Sequence, residues 1–427
     1  MGKLLLIFVL LVLQLQAINI EKYNEYHQLA IQAYYNQDST GWLQNNRLAL
    51  KYLPNSVTNL YYLANAFAQH NQPDSVIKYL QKVVEYGYGW EALNDDGFAC
   101  IRNHPDYQSL ARRIKELSRP VNTSEVVYTI AEKDLIPEGI CYDPVEDVFY
   151  LSSLYKCKII KINRDGSYSD FTTEKQDGLR SVVGMKVDAK RRILWALSEV
   201  SSLQYKNPAE SEMGWSGVFK YDLDSGKLIK KYILHEDDKA HLFNDLIITS
   251  AGDIYFTDSK SQQIFKIHHL ADTLEVFMEN PGFGFLNGIA LSKAEDYIYV
   301  AGSGPGIFRL NLADRSINYL KTPENVTTTG IDGLYRYENS LIAVQNGLGS
   351  GTRVVRFMLD KTGTSIENQS ILEMKNPHFN VPTTGVIVGN DFYYIANSQL
   401  RSFNRNNSIF PMEKLDNVIV LKINLNY

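Results

Sequence analysis

Hydrophobic residues recur along this chain with two different periods, and the change of period divides the chain in two. From Tyr23 to about Leu117, apolar residues follow the spacing of about 3.6 residues that places side chains on one face of a helix. After Pro120 apolar and polar residues alternate, as in half-buried strands, to the end of the chain. We therefore predict a helical domain over residues 21–118 and an all-β domain over residues 124–427.

Two helical segments of the first region align with each other at a step of about 34 residues. The small residues Ala30 and Ala64 are equivalent in this alignment, as are Leu29 and Leu63. The pattern resembles tetratricopeptide repeats, followed by a degenerate helical unit over residues 92–117. The resemblance implies a groove that recruits a protein partner. An array shorter than about three repeats is equally typical of a cap that packs on the next domain.

The all-β region repeats one cassette: an apolar strand, a turn, a second strand that ends in small polar residues and, in most copies, a third strand. The six copies begin at IPEGICYD, SVVGMKVD, HLFNDLII, FLNGIALS, GIDGLYRY and VPTTGVIV. Repeats of about 45 residues without intervening helices are typical of four-stranded propeller blades. A β-sandwich gives no reason for six such copies. We therefore predict an all-β six-bladed propeller with an N-terminal α-helical, tetratricopeptide-like domain.

The first residues have the composition of a secretory signal. Lys3 precedes an apolar run from Leu4 to Leu13, and the small residue Ala17 follows it. About ten apolar residues fall short of the roughly 20 that span a bilayer, which argues against an uncleaved anchor. We predict a signal peptide over residues 1–17, cleavage after Ala17, and a secreted or periplasmic protein without a membrane span.

Charge and cysteine content argue against a nucleic-acid-binding protein and against a zinc, redox or disulfide-stabilised protein. The net charge is −5 and the basic residues are scattered, so the sequence has no basic stripe and predicts no nucleic-acid partner. Cys100, Cys141 and Cys157 lack the spacing of a zinc or redox site. We expect no disulfide framework, and we expect Cys141 and Cys157 to be buried apolar residues.

Polar residues recur at the start of the first strand in five of the six cassettes. In a propeller these inner strands line the central channel, so equivalent positions from all blades meet at the axis. The equivalent pairs are Glu138-Gly139, Val183-Gly184, Asn244-Asp245, Asn287-Gly288, Asp332-Gly333 and Thr384-Gly385. Four of them begin with a residue that carries a carboxylate or amide oxygen: Glu138, Asn244, Asn287 and Asp332. Two carboxylates and two amides predict one divalent cation, with Ca²⁺ preferred, because Ca²⁺ takes about six to eight oxygen ligands. The lack of Cys and of a recurring His argues against Zn²⁺ or copper.

A simpler interpretation exists for each residue taken alone. Asn-Gly and Asp-Gly are common turn dipeptides, and Glu138 after Pro137 could be a solvated loop carboxylate. The hypothesis of a metal ring depends on their recurrence in phase with the repeat and on their position before strands.

The same motifs resemble the senescence-marker-protein/gluconolactonase family of calcium-dependent six-bladed propellers and, more distantly, paraoxonases and diisopropyl fluorophosphatases. The resemblance runs from about Val126 to the C-terminus and is carried by PEGICYD, FNDLIIT with GDIYFTD, LNGIALS with YIYVA, and GIDGLYRY. It implies one catalytic divalent ion held by Glu138, Asn244, Asn287 and Asp332. It also implies hydrolysis of lactones, esters or organophosphates, with Asp332 as candidate general base.

Three further residues are candidates for the substrate pocket. His241 lies three residues before Asn244, and Phe283 and Phe285 lie just before Asn287. A hydrogen-bonded spacer is the alternative for His241, and packing between blades is the alternative for the two phenylalanines. Asp258, at the end of a second strand, is expected to be a structural hydrogen-bond partner.

Two functions remain open at this point. The first is a secreted, metal-dependent hydrolase whose partner is a small lactone or ester. The second is a non-catalytic propeller with a structural ion, whose helical repeats recruit a protein.

Overall fold

The computed structural model describes residues 19–200, 208–235, 239–302, 306–347, 351–404 and 406–426. The predicted signal segment 1–17 lies outside the described residues. Within them, five α-helices precede residue 118 and twenty-four strands follow it. None of the described helices is long and apolar enough to cross a membrane.

The helices are α1 Ile20–Tyr35, α2 Ser39–Tyr52, α3 Val57–Gln69, α4 Pro73–Glu85 and α5 Pro105–Leu117. Asn19, Asp38 and Ser56 begin the first three helices, since each side chain accepts a hydrogen bond from a backbone N–H of the first turn. Helix α1 packs on α2, and α3 packs on α4. Ala30 and Ala64 are fully buried between them. The predicted helices are present, and their classification as tetratricopeptide repeats stays a prediction.

Strands follow the helices in six groups. They are β1 Glu125–Ile130, β2 Ile140–Asp143, β3 Val148–Ser153, β4 Lys158–Ile162, β5 Tyr168–Thr172, β6 Ser181–Asp188, β7 Ile193–Val200, β8 Trp215–Asp222, β9 Leu228–Leu234, β10 Phe243–Ile248, β11 Ile254–Asp258, β12 Gln263–His268, β13 Thr273–Glu279, β14 Leu286–Leu291, β15 Tyr297–Gly302, β16 Gly306–Asn311, β17 Ile317–Tyr319, β18 Ile331–Tyr337, β19 Ser340–Gln345, β20 Arg353–Leu359, β21 Ile366–Met374, β22 Gly385–Val388, β23 Asp391–Ile395 and β24 Val418–Asn424.

These strands form six four-stranded sheets, which are the six predicted blades. Blades one to five are β2–β5, β6–β9, β10–β13, β14–β17 and β18–β21, and blade six is β22, β23, β24 and β1. In blade six β1 pairs with β24, from Glu125 opposite Lys422 to Ile130 opposite Val418. Because the first strand of the β domain completes the last blade, the two ends of the domain close the ring.

Large apolar side chains fill the space between neighbouring blades. Tyr150, Phe219, Phe256, Phe308 and Phe392 are all fully buried. The three cysteines are free, with Cys141 and Cys157 buried in the propeller as predicted.

The helical domain packs directly on the propeller. Arg353 of β20 is buried, its guanidinium lies 4.1 Å from the centre of the Tyr88 ring, and its Nη1 donates to the carbonyl of Tyr86 at 3.3 Å. The hydroxyl of Tyr88 donates to Oε1 of Gln345, which also accepts from Nε of Arg353. Helix α1 contacts the turn Pro281–Phe283 before β14. The helices therefore form a cap on blades four and five, and recruitment of a protein partner stays a prediction.

Candidate functional site

A β-bulge marks the polar position in four of the six inner strands. In β10, Phe243 is opposite Asp258 and Leu246 is opposite Phe256, so two residues, Asn244 and Asp245, face one residue of β11. The same shift falls at Val183-Gly184, Asn287-Gly288 and Asp332-Gly333. A bulge bends its strand and re-aims a side chain. Asn244, Asn287 and Asp332 are therefore directed by a recurring backbone feature, whereas Glu138 lies before a strand pair without a register shift.

Glycines after these residues let the inner strands approach one another. A Cβ on Gly288 would lie 2.5 Å from the carbonyl oxygen of Asp332, closer than packed atoms allow. A Cβ on Gly139, Gly184 or Gly333 would likewise lie within about 3.1 Å of the next inner strand's backbone, at Val183, Asn244 and Thr383. The Thr384 hydroxyl donates to the carbonyl of Glu138 and joins blade six to blade one. The strand mouths thus form a closed ring around the axis.

Three of the four predicted ligands interact through their side chains. Glu138 and Asp332 lie close enough for the charge of Asp332 to raise the pKa of Glu138. Asn287 hydrogen-bonds to Asp332. Asn244 belongs to the same ring through its backbone, beside Gly184, and its amide Nδ2 donates to Oγ of Ser259 at 2.9 Å. Their role as metal ligands stays a prediction.

Small polar residues that end the second strands hold the predicted ligands in place. Asn346, just after β19, donates to Oδ2 of Asp332 at 2.6 Å. Ser152 accepts from the N–H of Gly139 at 2.7 Å, and Ser398 donates to Oε2 of Glu138 at 3.5 Å. The cassette's polar strand ends are visible in the sequence, but the fold decides that Asn346 and Ser152 bond the mouth of their own blade while Ser398 bonds the mouth of the next blade.

The electrostatics of the ring are strongly negative. Burial raises the pKa of Glu138 well above its usual range, and the charges of Asp332, Glu199 and Asp245 raise it further. Burial also raises the pKa of Asp332, against hydrogen bonds from Asn346 and Asn287 that lower it. Within the described ranges, neither Glu138 nor Asp332 forms an ion pair with a basic side chain. A cation between Glu138 and Asp332 would offset the repulsion between the two carboxylates, which is one cause of the raised pKa of Glu138.

The donor set fits a hard divalent cation. Oδ1 of Asn287 is buried and accepts no hydrogen bond from a described residue, and the same holds for Oδ2 of Asp245. Such buried acceptors are costly unless they are paired or coordinate a metal. The part of the chain that the structure describes has no cluster of three or more His, Cys, Asp and Glu in metal-binding geometry. The predicted ring supplies only two residues of those types, the others being amides.

A second layer of polar residues lies deeper in the channel. Nζ of Lys186 lies 3.3 Å from Oδ1 of Asp245 and 5.4 Å from the centre of the Tyr335 ring. The hydroxyl of Tyr335 accepts from the N–H of Gly385 at 2.7 Å. Lys186 and Tyr335 stand two residues after the mouth glycines Gly184 and Gly333, so the period of a strand returns them to the channel.

Sequence reasoning did not select this deeper layer, although two signals were present. Asp245 occupies the position where the other five inner strands have glycine. Lys186 and Tyr335 each lie two residues after the equivalent position in their own inner strand. Glu199, at the end of β7, had no comparable signal, because its nearness to Glu138 depends on how blades one and two pack.

The pocket candidates have different surroundings. Phe285 is 43% exposed and lines a cavity of about 390 Å³ together with Asn287 and Asn346. Phe283 is fully buried and stacks on Phe308, with ring centres 4.5 Å apart. The expectation that Phe283 lines the pocket is therefore corrected, because its ring fills the core beside β16.

His241 is also buried rather than exposed at the channel mouth. Its Nδ1 lies 2.6 Å from Oδ2 of Asp258, and its ring packs near Phe243 and Phe265. Burial by itself would raise the pKa of Asp258, but hydrogen bonds from His241 and from the Leu242 and Ser261 N–H groups outweigh it and lower that pKa. Asp258 is thus the structural hydrogen-bond partner that we expected. His241 is not among the described residues that line the cavity, so its position gives no support to a pocket role.

Comparison with known proteins adds similarities of fold. No protein-family model and no curated protein matches the sequence. Among solved structures, a gluconolactonase from Xanthomonas campestris is 14% identical, with a TM-score of 0.47 over 72% of this chain and 92% of that chain. A luciferin-regenerating enzyme has 13% identity and a TM-score of 0.49, covering 72% and 96%. Virginiamycin B lyase from Staphylococcus aureus has 17% identity and a TM-score of 0.45, covering 67% and 86%. Similarities at this level assign neither substrate nor reaction.

Proposed function

We propose that this protein is a divalent-cation-dependent hydrolase of lactones or related esters. The observation that supports it is a buried ring of oxygen donors at the propeller axis, negatively charged and without an ion-paired basic side chain among the described residues. A ligand-sized cavity adjoins this ring at Asn287. Perturbed carboxylates beside a concave pocket are a typical arrangement of a catalytic site.

Four residues would hold the cation in this proposal: Glu138, Asn244, Asn287 and Asp332. Ca²⁺ is the preferred ion because all four donors are oxygens. When bound, the ion supplies Lewis acidity that polarises a carbonyl group. Ser259 and Ser398 fix the side chains of Asn244 and Glu138 through the hydrogen bonds described above.

Asp332 is the proposed general base. Its Oδ2 accepts from Nδ2 of Asn346, which orients the carboxylate. A base of this kind takes a proton from water as the water attacks the ester carbonyl, and it works best with a pKa near the operating pH. In the site without a cation, burial raises the pKa of Asp332 in that direction.

Activity on a panel of aldonolactones and aryl esters, with and without chelator, tests the proposal. We expect turnover that chelator abolishes and that Ca²⁺ restores. The variant Asp332→Asn keeps an oxygen donor but loses one negative charge, so Ca²⁺ should bind more weakly, and at saturating Ca²⁺ we expect kcat to fall about a hundredfold. Asp74→Asn, an exposed change on α4, is the matched control and should leave kcat unchanged.

Two results would contradict the proposal. Unchanged hydrolysis in Asp332→Asn with Ca²⁺ bound removes Asp332 as the base. Ca²⁺ that raises the melting temperature, without turnover of any substrate, favours the alternative of a binding module with a structural ion.

We also propose that residues 1–17 direct the chain out of the cytoplasm. The apolar run after Lys3 supports this. N-terminal sequencing of the exported protein should begin at Ile18. A mature chain that retains Met1 in the cytoplasm would overturn it.

A further inference from the structure

The cavity beside the ring lies where the helical cap meets the propeller, and we name it the cap cavity. Tyr23, Asn24 and His27 of α1 line it on the cap side, and Phe285, Asn287 and Asn346 line it on the propeller side. Its volume of about 390 Å³ corresponds to about 13 water molecules and falls within the range of small-molecule pockets.

The cap cavity is continuous with the proposed catalytic ring. Asn346 lines the cavity and donates to the carboxylate of Asp332. Asn287 lines it as well and is one of the four predicted ligands. A molecule in the cap cavity would therefore lie one hydrogen-bonding residue away from the proposed base.

A buried hydrogen-bonded network supports the cap side of the cavity. The hydroxyl of Tyr23 lies 3.0 Å from Oγ of Ser56 and donates to Oδ1 of Asn59 at 2.9 Å, and Nδ2 of Asn59 donates to Oδ1 of Asn46. The His27 ring stacks on the Tyr23 ring at 5.6 Å between centres. Fully bonded buried networks of this kind fix side-chain positions, so α1 presents a preformed surface.

The described residues that line the cap cavity carry no formal charge at neutral pH. Their side chains are amides, hydroxyls, aromatic rings and aliphatic groups, together with glycine. His27 is the one titratable group with a pKa near 7 among them, and burial lowers its pKa, which keeps the imidazole neutral. Nδ1 of His27 is buried without a hydrogen-bond partner in the described residues.

We propose that helix α1 forms one wall of the substrate pocket and that this pocket selects uncharged cyclic ligands over carboxylate-bearing ones. The reaction at this pocket rests on the proposed function, whereas the binding itself does not. Amides can hydrogen-bond to the substituents of a cyclic ligand, and the aromatic side chains of Tyr23, His27 and Phe285 contribute to the lining of the cavity. A carboxylate would find no basic partner on these described walls, so its charge would be buried there without compensation.

Binding of a lactam separates this inference from catalysis. Dihydroquinolinone has the shape of the lactone dihydrocoumarin but resists hydrolysis, so calorimetry with the full chain and Ca²⁺ measures binding alone. We expect the neutral lactam to bind at least about tenfold more tightly than the same lactam carrying a carboxylate. In Asn24→Trp the indole would fill the cavity, and we expect lactam binding to weaken about tenfold or more while Ca²⁺ affinity is unchanged.

Gln32→Trp is the matched control, because Gln32 is exposed on the same helix and does not line the cap cavity. Asn24→Ala, which leaves the cavity open, should weaken binding by only a few fold, and circular dichroism should show that all three variants keep their helices.

Each outcome decides one part of the inference. Lactam binding that is equal in the original chain and in Asn24→Trp overturns the role of α1, and so does a lack of binding in the original chain. Equal affinity for the neutral and carboxylate probes overturns the selection by charge. Binding as expected without turnover of dihydrocoumarin leaves this inference standing and contradicts the proposed hydrolase.

Discussion

The two polar layers of the propeller channel are built from the same strands but balance their charge differently. At the mouth, Glu138 and Asp332 are buried together and no described basic side chain pairs with either of them. Asp245 stands at the position of the mouth glycines, but it is paired with Lys186 from one step deeper, whose ammonium also lies over the Tyr335 ring. Among the residues that the structure describes, the chain thus supplies its own cation in the deeper layer and none at the mouth.

This difference separates a structural use of buried charge from a functional one. A buried carboxylate that has an internal partner adds a fixed link between blades two and three. Buried carboxylates that repel each other destabilise the metal-free protein, and such a cost persists where binding or catalysis requires it. The comparison therefore predicts that removing a charge has opposite effects on stability in the two layers when no metal is bound.

The largest expected effect is at the mouth, in Glu138→Gln. Loss of one of two anionic ligands should weaken Ca²⁺ binding at least about a hundredfold in a calorimetric titration. Without Ca²⁺ the same variant should be more stable than the original chain by about 1 kcal/mol, because a buried charge is gone. The exposed residue Glu367 gives the control Glu367→Gln, which should change neither quantity. If metal-free Glu138→Gln is less stable than the original chain, the proposed difference between the two layers is wrong.

Removing the positive charge of Lys186 from the deeper layer should lower the free energy of unfolding, whereas Glu138→Gln should raise that of the metal-free protein. Lys186→Met leaves Asp245 buried without its partner, and we expect urea unfolding to show a loss of about 2 to 3 kcal/mol. The double variant Lys186→Met with Asp245→Gly restores the glycine found in the other five blades and should recover most of that loss. If the double variant is as unstable as the single one, the ion pair is not what the lysine provides.

The smallest effect concerns the hydroxyl of Tyr335. Tyr335→Phe keeps the ring beside Lys186 but leaves the buried N–H of Gly385 without its acceptor. We expect unfolding free energy to fall by about 1 kcal/mol, with Ca²⁺ affinity unchanged. Tyr319→Phe, at a partly exposed ring, is the control. A large loss of Ca²⁺ affinity in Tyr335→Phe would show that the two layers are not separable.

Much of the propeller could be predicted because its signals are local and repeated. Five of the six inner strands carry a polar residue at the mouth position, and five carry a glycine after it, so the copies reinforce one another. The residues of the candidate ring could be predicted because they recur in phase with the repeat and because a propeller brings the starts of its inner strands together at the axis. The bulges that aim Asn244, Asn287 and Asp332 could not be read in advance, because a register shift depends on both strands of a pair.

The sequence-based predictions were wrong or incomplete for residues whose packing partners lie far away along the chain. Phe283 and Phe285 look alike in sequence, yet one stacks on Phe308 in the core and the other lines the cap cavity. Their difference depends on the turn that separates them and on what packs above it. The buried cation Arg353 likewise gave no signal, because its partners Tyr86 and Tyr88 lie in the cap.

By itself the sequence determined the order of the two architectures, the number of blades and the chemical types of the ring residues, since these depend on periodicity and composition. Tertiary structure decided which charges have partners, which phenylalanine faces the cavity and where the cap packs. The physical reason is that burial, pairing and close approach are properties of residues far apart along the chain, and only the closed ring and the packed cap bring them together.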